Sequence, residues 1–161
     1  MKECVVFVCV AVAATIVAAE EISVNNKERH VNEVRANSGK CGERVGHSFD
    51  PSSGVITITG EGNMTDFLSP AYAPWDYFKS SITGVVVTEN VTSTRNNSFY
   101  EVENIQSVSL QSELKRIGKY AFYKCSSSSS IVLPSTVTYI GEYAFSECKS
   151  LSSINISDGI T

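Results

Sequence analysis

The side chains best suited to chemistry are few, and their spacing argues against a catalytic constellation. Only two histidines occur, His30 and His47. They are too far apart in sequence for a local metal pair, and no carboxylate or cysteine spacing completes a zinc site around either. Both are expected to be ordinary surface residues. The serines of 126–130 have no base and orienting group at a matching interval, and the run reads as loop or repeat filler. Gly60-Glu61-Gly62 is followed by Asn63, Met64 and Thr65, with no third glycine and no helical pattern, so a turn is expected rather than a dinucleotide site. The chain is therefore read as a non-enzyme, with no catalytic, cofactor-binding or metal residue.

Five cysteines are present, of which Cys4 and Cys9 lie in the N-terminal apolar run. Cys41, Cys125 and Cys148 remain, an odd number that cannot pair internally in full. Cys125 and Cys148 are 23 residues apart. If that interval is one structural repeat, the two stand at one position on neighbouring strands, roughly 4.7–4.9 Å apart, which a disulfide can span. A small, apolar thiol also suits a crowded core. Two buried thiols are expected, with a disulfide as the alternative. No partner for Cys41 can be read.

The same 23-residue interval governs the elements that position these side chains. Val85-Val86-Val87, Val108-Ser109-Leu110, Ile131-Val132-Leu133 and Ile154-Asn155-Ile156 are evenly spaced, and Phe99, Phe122 and Phe145 follow in step. A unit this short cannot bury its own apolar face, so the copies must stack into a solenoid with one short parallel strand per repeat. The first and third residues of each triplet are expected to point inward and the middle one outward. Val91, Leu114, Val137 and Ile160, then Thr94, Ile117 and Ile140, form further inward columns. Ile117-Gly118-Lys119-Tyr120-Ala121-Phe122 and Ile140-Gly141-Glu142-Tyr143-Ala144-Phe145 close each coil, with glycine allowing the bend and alanine close approach. In the first unit Thr94 replaces isoleucine, and Asn96 and Asn97 replace the glycine and its neighbour. About three full units and a partial fourth occupy 85–161, and the missing closing segment reads as a cut-short chain or fragment with an open final edge.

Before the repeats, 39–84 reads as a cap. Two β-rich runs around Asp50-Pro51-Ser52-Ser53-Gly54 make a hairpin, and Pro74 is placed at a helix start ahead of Trp75, Tyr77 and Phe78, which would cover the first edge of the solenoid. Residues 20–38 suit a mobile leader. Residues 1–19 read as a secretory signal with cleavage between Ala19 and Glu20, because the apolar run is shorter than the roughly 20 residues that span a bilayer. Losing that segment removes Lys2 and Glu3 and leaves the net charge at −4. With scattered lysine and arginine, nucleic acid is excluded as a partner. A membrane association would need an anchor beyond residue 161. On a secretory route, the sequons at Asn63, Asn90, Asn96 and Asn155 become candidate glycan sites.

The segments Leu114-Lys-Arg-Ile-Gly-Lys-Tyr-Ala-Phe-Tyr-Lys-Cys125 and Val137-Thr-Tyr-Ile-Gly-Glu-Tyr-Ala-Phe-Ser-Glu-Cys148, with Ile131-Val-Leu-Pro134 ahead of the second, resemble the BspA-like leucine-rich repeats of microbial and protist surface proteins. Ser38-Gly39-Lys40-Cys41-Gly42, Gly60-Glu61-Gly62 and Ala73-Pro74-Trp75 are similar to the cap that often precedes them. The resemblance implies a β-rich leucine-rich repeat solenoid, secreted or displayed at a cell surface for adhesion, without catalytic residues or cofactor. An extracellular protein or glycan is then the expected ligand, held by the concave sheet face at Val86, Ser109, Val132, Asn155 and Gln111. That face is uncharged, so shape, hydroxyls and modest apolar contact would do the binding. Asn155 is also a sequon, and a glycan there would push the binding surface elsewhere. Tyr120 and Tyr143 are a second possible anchor or else pack ring on ring. The alternative function is a self-assembling coat or filament component that associates through the C-terminal edge.

Overall fold

The structure is a computed structural model and describes residues 37–156 and 158–160. The expected signal segment, its cleavage point at Ala19 and Glu20, His30 and nearly all of the leader lie outside those residues, as do Ser157 and Thr161.

The described chain opens with β1 (Ser38–Lys40), paired antiparallel with β2 (Val45–Asp50), which turns into β3 (Val55–Gly60) with Phe49 opposite Ile56 and His47 opposite Ile58. The expected hairpin is therefore present, with an extra edge strand. Asp50 holds its turn: its carboxylate accepts the Ser52 and Ser53 hydroxyls at 2.7 Å each and the Ser52 N–H at 2.9 Å. These bonds, the Ser52 hydroxyl first, pull its pKa down to about 2. Gly60 and Gly62 have φ of 121° and 94° and bend the chain into β4 (Gly62–Asn63), so Gly-Glu-Gly is a turn. Two short 3-10 helices follow, Pro70–Tyr72 and Asp76–Ser81. The proline at a helix start is thus Pro70, not Pro74. Trp75 precedes the second helix because its ring is fixed in the core, 1% exposed, with Nε1–H donating to the Ser98 carbonyl at 2.9 Å.

The solenoid strands are β5 (Gly84–Val87), β6 (Val91–Thr94), β7 (Ser107–Leu110), β8 (Arg116–Ile117), β9 (Ser130–Val132), β10 (Tyr139–Ile140) and β11 (Ser153–Asn155). Val85 stands opposite Val108 and Ile131 opposite Ile154, both parallel and in the 23-residue register. Each of the first three coils adds a second short strand that the triplets did not announce, and β4, β6, β8 and β10 form a parallel flank sheet. The main sheet runs β1-β2-β3-β5-β7, so the cap hairpin extends it, while β9 and β11 pair separately. No ladder joins β7 to β9 among the described residues. The flank pairing of β8 with β10 continues across that joint.

The inward columns are filled largely as the spacing predicts, with Val108, Leu110, Ile140, Ile154 and Ile160 only partly buried against the core. Val85, Val87, Val91, Leu114, Ile117, Ile131 and Val137 are fully buried, each side chain contributing about 1.5–3 kcal/mol against an exposed reference. Ile156, expected inward, is instead 52% exposed: β11 ends at Asn155, and its only described strand neighbour is β9. Trp75, Phe99, Phe122 and Phe145 form one stack with centroid spacings of 5.3, 5.2 and 5.5 Å. The cap tryptophan therefore heads the phenylalanine column. Ile105, Ser128 and Leu151 share another column, and Ser128 is fully buried there with its hydroxyl donating to the Ser130 carbonyl at 3.2 Å. A polar side chain thus occupies an apolar position and engages a carbonyl of β9 itself.

The coil-closing segment is built on alternate hydrogen bonds. The N–H groups of Asn97, Phe99 and Glu101 donate to the carbonyls of 119, 121 and 123, and those of Tyr120, Phe122 and Lys124 to 142, 144 and 146. Asn97, Tyr120 and Tyr143 have φ of 57°, 55° and 58°, and Glu101, Lys124 and Glu147 repeat this at 55°, 56° and 61°. Left-handed backbone thus falls on non-glycine residues, a cost of roughly 1–2 kcal/mol apiece. Gly118 serves another purpose than the expected bend. A Cβ on it would lie 2.3 Å from the Arg95 carbonyl carbon, and one on Gly141 would lie 2.4 Å from the Lys119 nitrogen. Close approach of coils is the requirement. Thr94 opposite Ile117 places Arg95, not Asn96, at the glycine position of the first unit.

Candidate functional site

The predicted outward strand positions fall on two sheets, Val86 and Ser109 on the main sheet and Val132 and Asn155 on the β9–β11 pair, with differences in exposure. Pairing registers carry a row from Ser38 through Ser48, Thr57 and Val86 to Ser109, and Val132 pairs with Asn155 beyond the unladdered joint. Ser109 and Asn155 are exposed, Val132 is 68% exposed, and Val86 and Gln111 are half-buried. Gln111 reaches back, its Nε2–H donating to the Ser109 hydroxyl at 3.4 Å. The flanking Gly84 is buried between Val55 and Ser107, so it offers backbone only. The triplet strands β5, β7, β9 and β11 present no charge, but the rim does. Glu89 lines a shallow depression of about 610 Å³ with Gly60, Thr88, Asn90 and Gln111, and Asp50 heads the row that passes through Val55 and Gly84 to Ser107. Sequence reasoning missed the cap half of this face. Its interval to the first repeat is 29 residues (Val55 to Gly84), not 23, because the second 3-10 helix is inserted.

All four sequon asparagines are exposed. Asn63 and Asn90 stand on neighbouring coils, where the Thr92 hydroxyl donates to Asn63 Oδ1 at 2.9 Å. Asn90 has φ of 68° in an exposed turn.

A second surface forms around the coil-closing tyrosines. Tyr120 and Tyr143 stack at 5.1 Å with 7° between planes, Tyr100 and Tyr123 stack at 4.9 Å, and Tyr120 meets Tyr123 edge-on at 5.5 Å. Tyr143 is 57% exposed. Lys119 and Lys124 flank the rings but are committed to ion pairs, with Glu142 at 2.6 Å and Glu101 at 2.7 Å. Those bonds raise both lysine pKa values, and the Lys119 bond lowers that of Glu142. Tyr100 and Tyr123 were not singled out from sequence, although they too lie one period apart.

The remaining reactive groups are interior. Cys41, Cys125 and Cys148 are buried free thiols. The Cys125 and Cys148 S–H groups point at the Phe99 and Phe122 carbonyls, at 3.3 and 3.1 Å, as expected for packing thiols. Burial pushes Cys41 up to about 12 and raises the other two, so none is a ready nucleophile. His47, expected at the surface, is 4% exposed, because β2 turns alternate residues into the cap core, where its ring meets Trp75 edge-on at 5.3 Å. Among the described residues, no group of three or more His, Cys, Asp or Glu could hold a metal ion, and no helix is long and apolar enough to cross a membrane.

Stacked coils, two parallel sheets and an aromatic column define a leucine-rich-repeat solenoid with an N-terminal cap. The sequence profile of the BspA type leucine rich repeat region (6 copies) matches residues 76–161, and the chain belongs to that family. It is similar in fold to a leucine-rich repeat protein from Eubacterium ventriosum, at 22% identity and TM-score 0.58, covering 76% of this chain and 40% of that one. It is also similar to the T. pallidum leucine rich repeat protein, at 21% identity and TM-score 0.52, covering 71% of this chain and 59% of that one. The chain thus spans about half the length of these two structures. No curated protein matches it.

Proposed function

We propose that this chain is a secreted or cell-surface, non-catalytic binding protein whose outward sheet face holds an extracellular protein or glycan, in the service of adhesion. The observation that carries the reading is the face itself. Val132, 68% exposed on a strand, stands beside Asn155, and the row on the main sheet carries Ser48, Thr57 and Ser109 around Val86, with charge confined to the rim. A surface of this kind recognises by shape and hydrogen bonding, with little electrostatic steering. Buried, protonated thiols and a buried histidine leave the described chain without a poised nucleophile and base, which supports a non-catalytic role.

Probing an array of glycans and secreted proteins with the full chain tests this reading. Val132→Arg is expected to abolish the captured ligand's signal while the melting temperature stays unchanged, since the side chain is exposed. Capture that survives the substitution removes the sheet face as the site.

A further inference from the structure

The groove beside the tyrosines has the chemistry of a saccharide site, and it lies apart from the sheet face. It measures about 450 Å³, the scale of a small-ligand cleft. Tyr100, Tyr120 and Tyr123 give it an aromatic side, Leu68 and Pro70 close it from the cap, and Asn96 and Asn97 supply polar edges. Leu68 is 92% exposed, an apolar side chain held out at the mouth.

Each asparagine is half-used. Asn96 Oδ1 accepts the Lys119 N–H at 2.8 Å, and Asn97 Nδ2 donates to the Phe67 carbonyl at 2.7 Å. Asn96 Nδ2 and Asn97 Oδ1 make no bond within the described chain, so one donor and one acceptor remain beside the rings. Lys119 is already neutralised by Glu142, and the groove offers no free charge to an ionic ligand. An aromatic face without net charge, edged by a donor and an acceptor, fits a molecule with an apolar C–H face and hydroxyls around its rim. We propose that this groove binds a neutral pyranose sugar, its C–H face on the tyrosines and its hydroxyls on Asn96 Nδ2 and Asn97 Oδ1.

The repeat supplies its own test variants. Asn97 occupies the Tyr120 position one coil earlier with the same left-handed φ, and Ser146 occupies the Tyr123 position one coil later. Tyr120→Asn and Tyr123→Ser therefore remove rings with substitutions the fold already accepts, and an unchanged melting temperature verifies this. Because Asn96 is a sequon, the full chain is made in a host that adds no N-glycan. Saturation-transfer NMR is run with mannotriose, maltotriose and triacetylchitotriose at about 10 mM, above the millimolar Kd expected of one small contact site. At least one sugar is expected to bind, with perturbed tyrosine ring protons and about tenfold weaker binding in either variant. Glu43→Ala, on an exposed cap loop, is expected to bind as the parent does. Three results overturn the proposal: no transfer to any of the three sugars, equal binding by the parent and the tyrosine variants, or loss with Val132→Arg instead, which would move the sugar to the sheet face. Because the tyrosine variants leave the sheet face intact, failure here is distinguishable from failure of the sheet-face reading.

Discussion

His47 shows how one buried side chain can make stability depend on pH. Neither ring nitrogen makes a hydrogen bond of good geometry, burial lowers its pKa, and the polar backbone of Gly39 beside the ring offsets part of that shift. The folded cap favours the neutral imidazole, whereas the unfolded chain takes up a proton below about pH 6.5. Stability is thus full above that value and is lost as pH falls from it through the lower folded value. We expect the melting temperature to drop between pH 7.5 and 5, and His47→Leu to flatten that drop. A parallel decline in the variant would place the sensitivity elsewhere. The exposed Asp50 turn, with a folded pKa of about 2, loses its contribution only in more acidic solution, so the two effects separate. Thr94 is a related case, a buried hydroxyl without a partner in a column that holds isoleucine in the next two coils.

At the scale of the strand, Ser128 accompanies the break between β7 and β9. Its hydroxyl engages the Ser130 carbonyl, and its short, fully buried side chain stands at the position that Ile105 and Leu151 hold in the neighbouring coils. Ser128→Leu restores the residue type of its column. It should raise unfolding free energy by about 1–2 kcal/mol, the order of burying one aliphatic side chain. Chemical denaturation measures this, and a destabilised variant would show that the site is too tight for a larger residue. These elements also show what was legible in advance. The triplet strands, the phenylalanine column and the face of Val132 followed from a fixed interval, because stacked coils repeat their contacts, whereas the flank strands did not. Residues outside the interval were opaque: Pro74 looks like a helix start until Trp75 is seen to be fixed by Ser98, and the cap strands join the main sheet at a spacing that no repeat advertises. The tyrosine groove was half visible. Tyr120 announced itself by its spacing to Tyr143, but Leu68 and Pro70 join it in the groove only through the folded cap.

For the whole molecule, coil-to-coil bonding is uneven. The cap and first two coils share one five-stranded sheet, whereas the later coils hold on through the flank sheet, the closing-segment bonds and the phenylalanine stack. In a solenoid each repeat is stabilised by its neighbours, so opening free energy varies along the axis. Amides of β9 and β11 should exchange with solvent at least about tenfold faster than those of β3 and β5, and uniform protection would refute a weak joint. The tryptophan at the head of the stack gives this unevenness a spectroscopic signature. Trp75 is the chain's single tryptophan, buried against Phe99 where the cap meets the first coil. Its emission is therefore an intrinsic dye for that junction alone. The seven tyrosines run from the cap to the third coil and report the chain at large, so one cuvette, read in two bands, separates opening of that junction from loosening elsewhere.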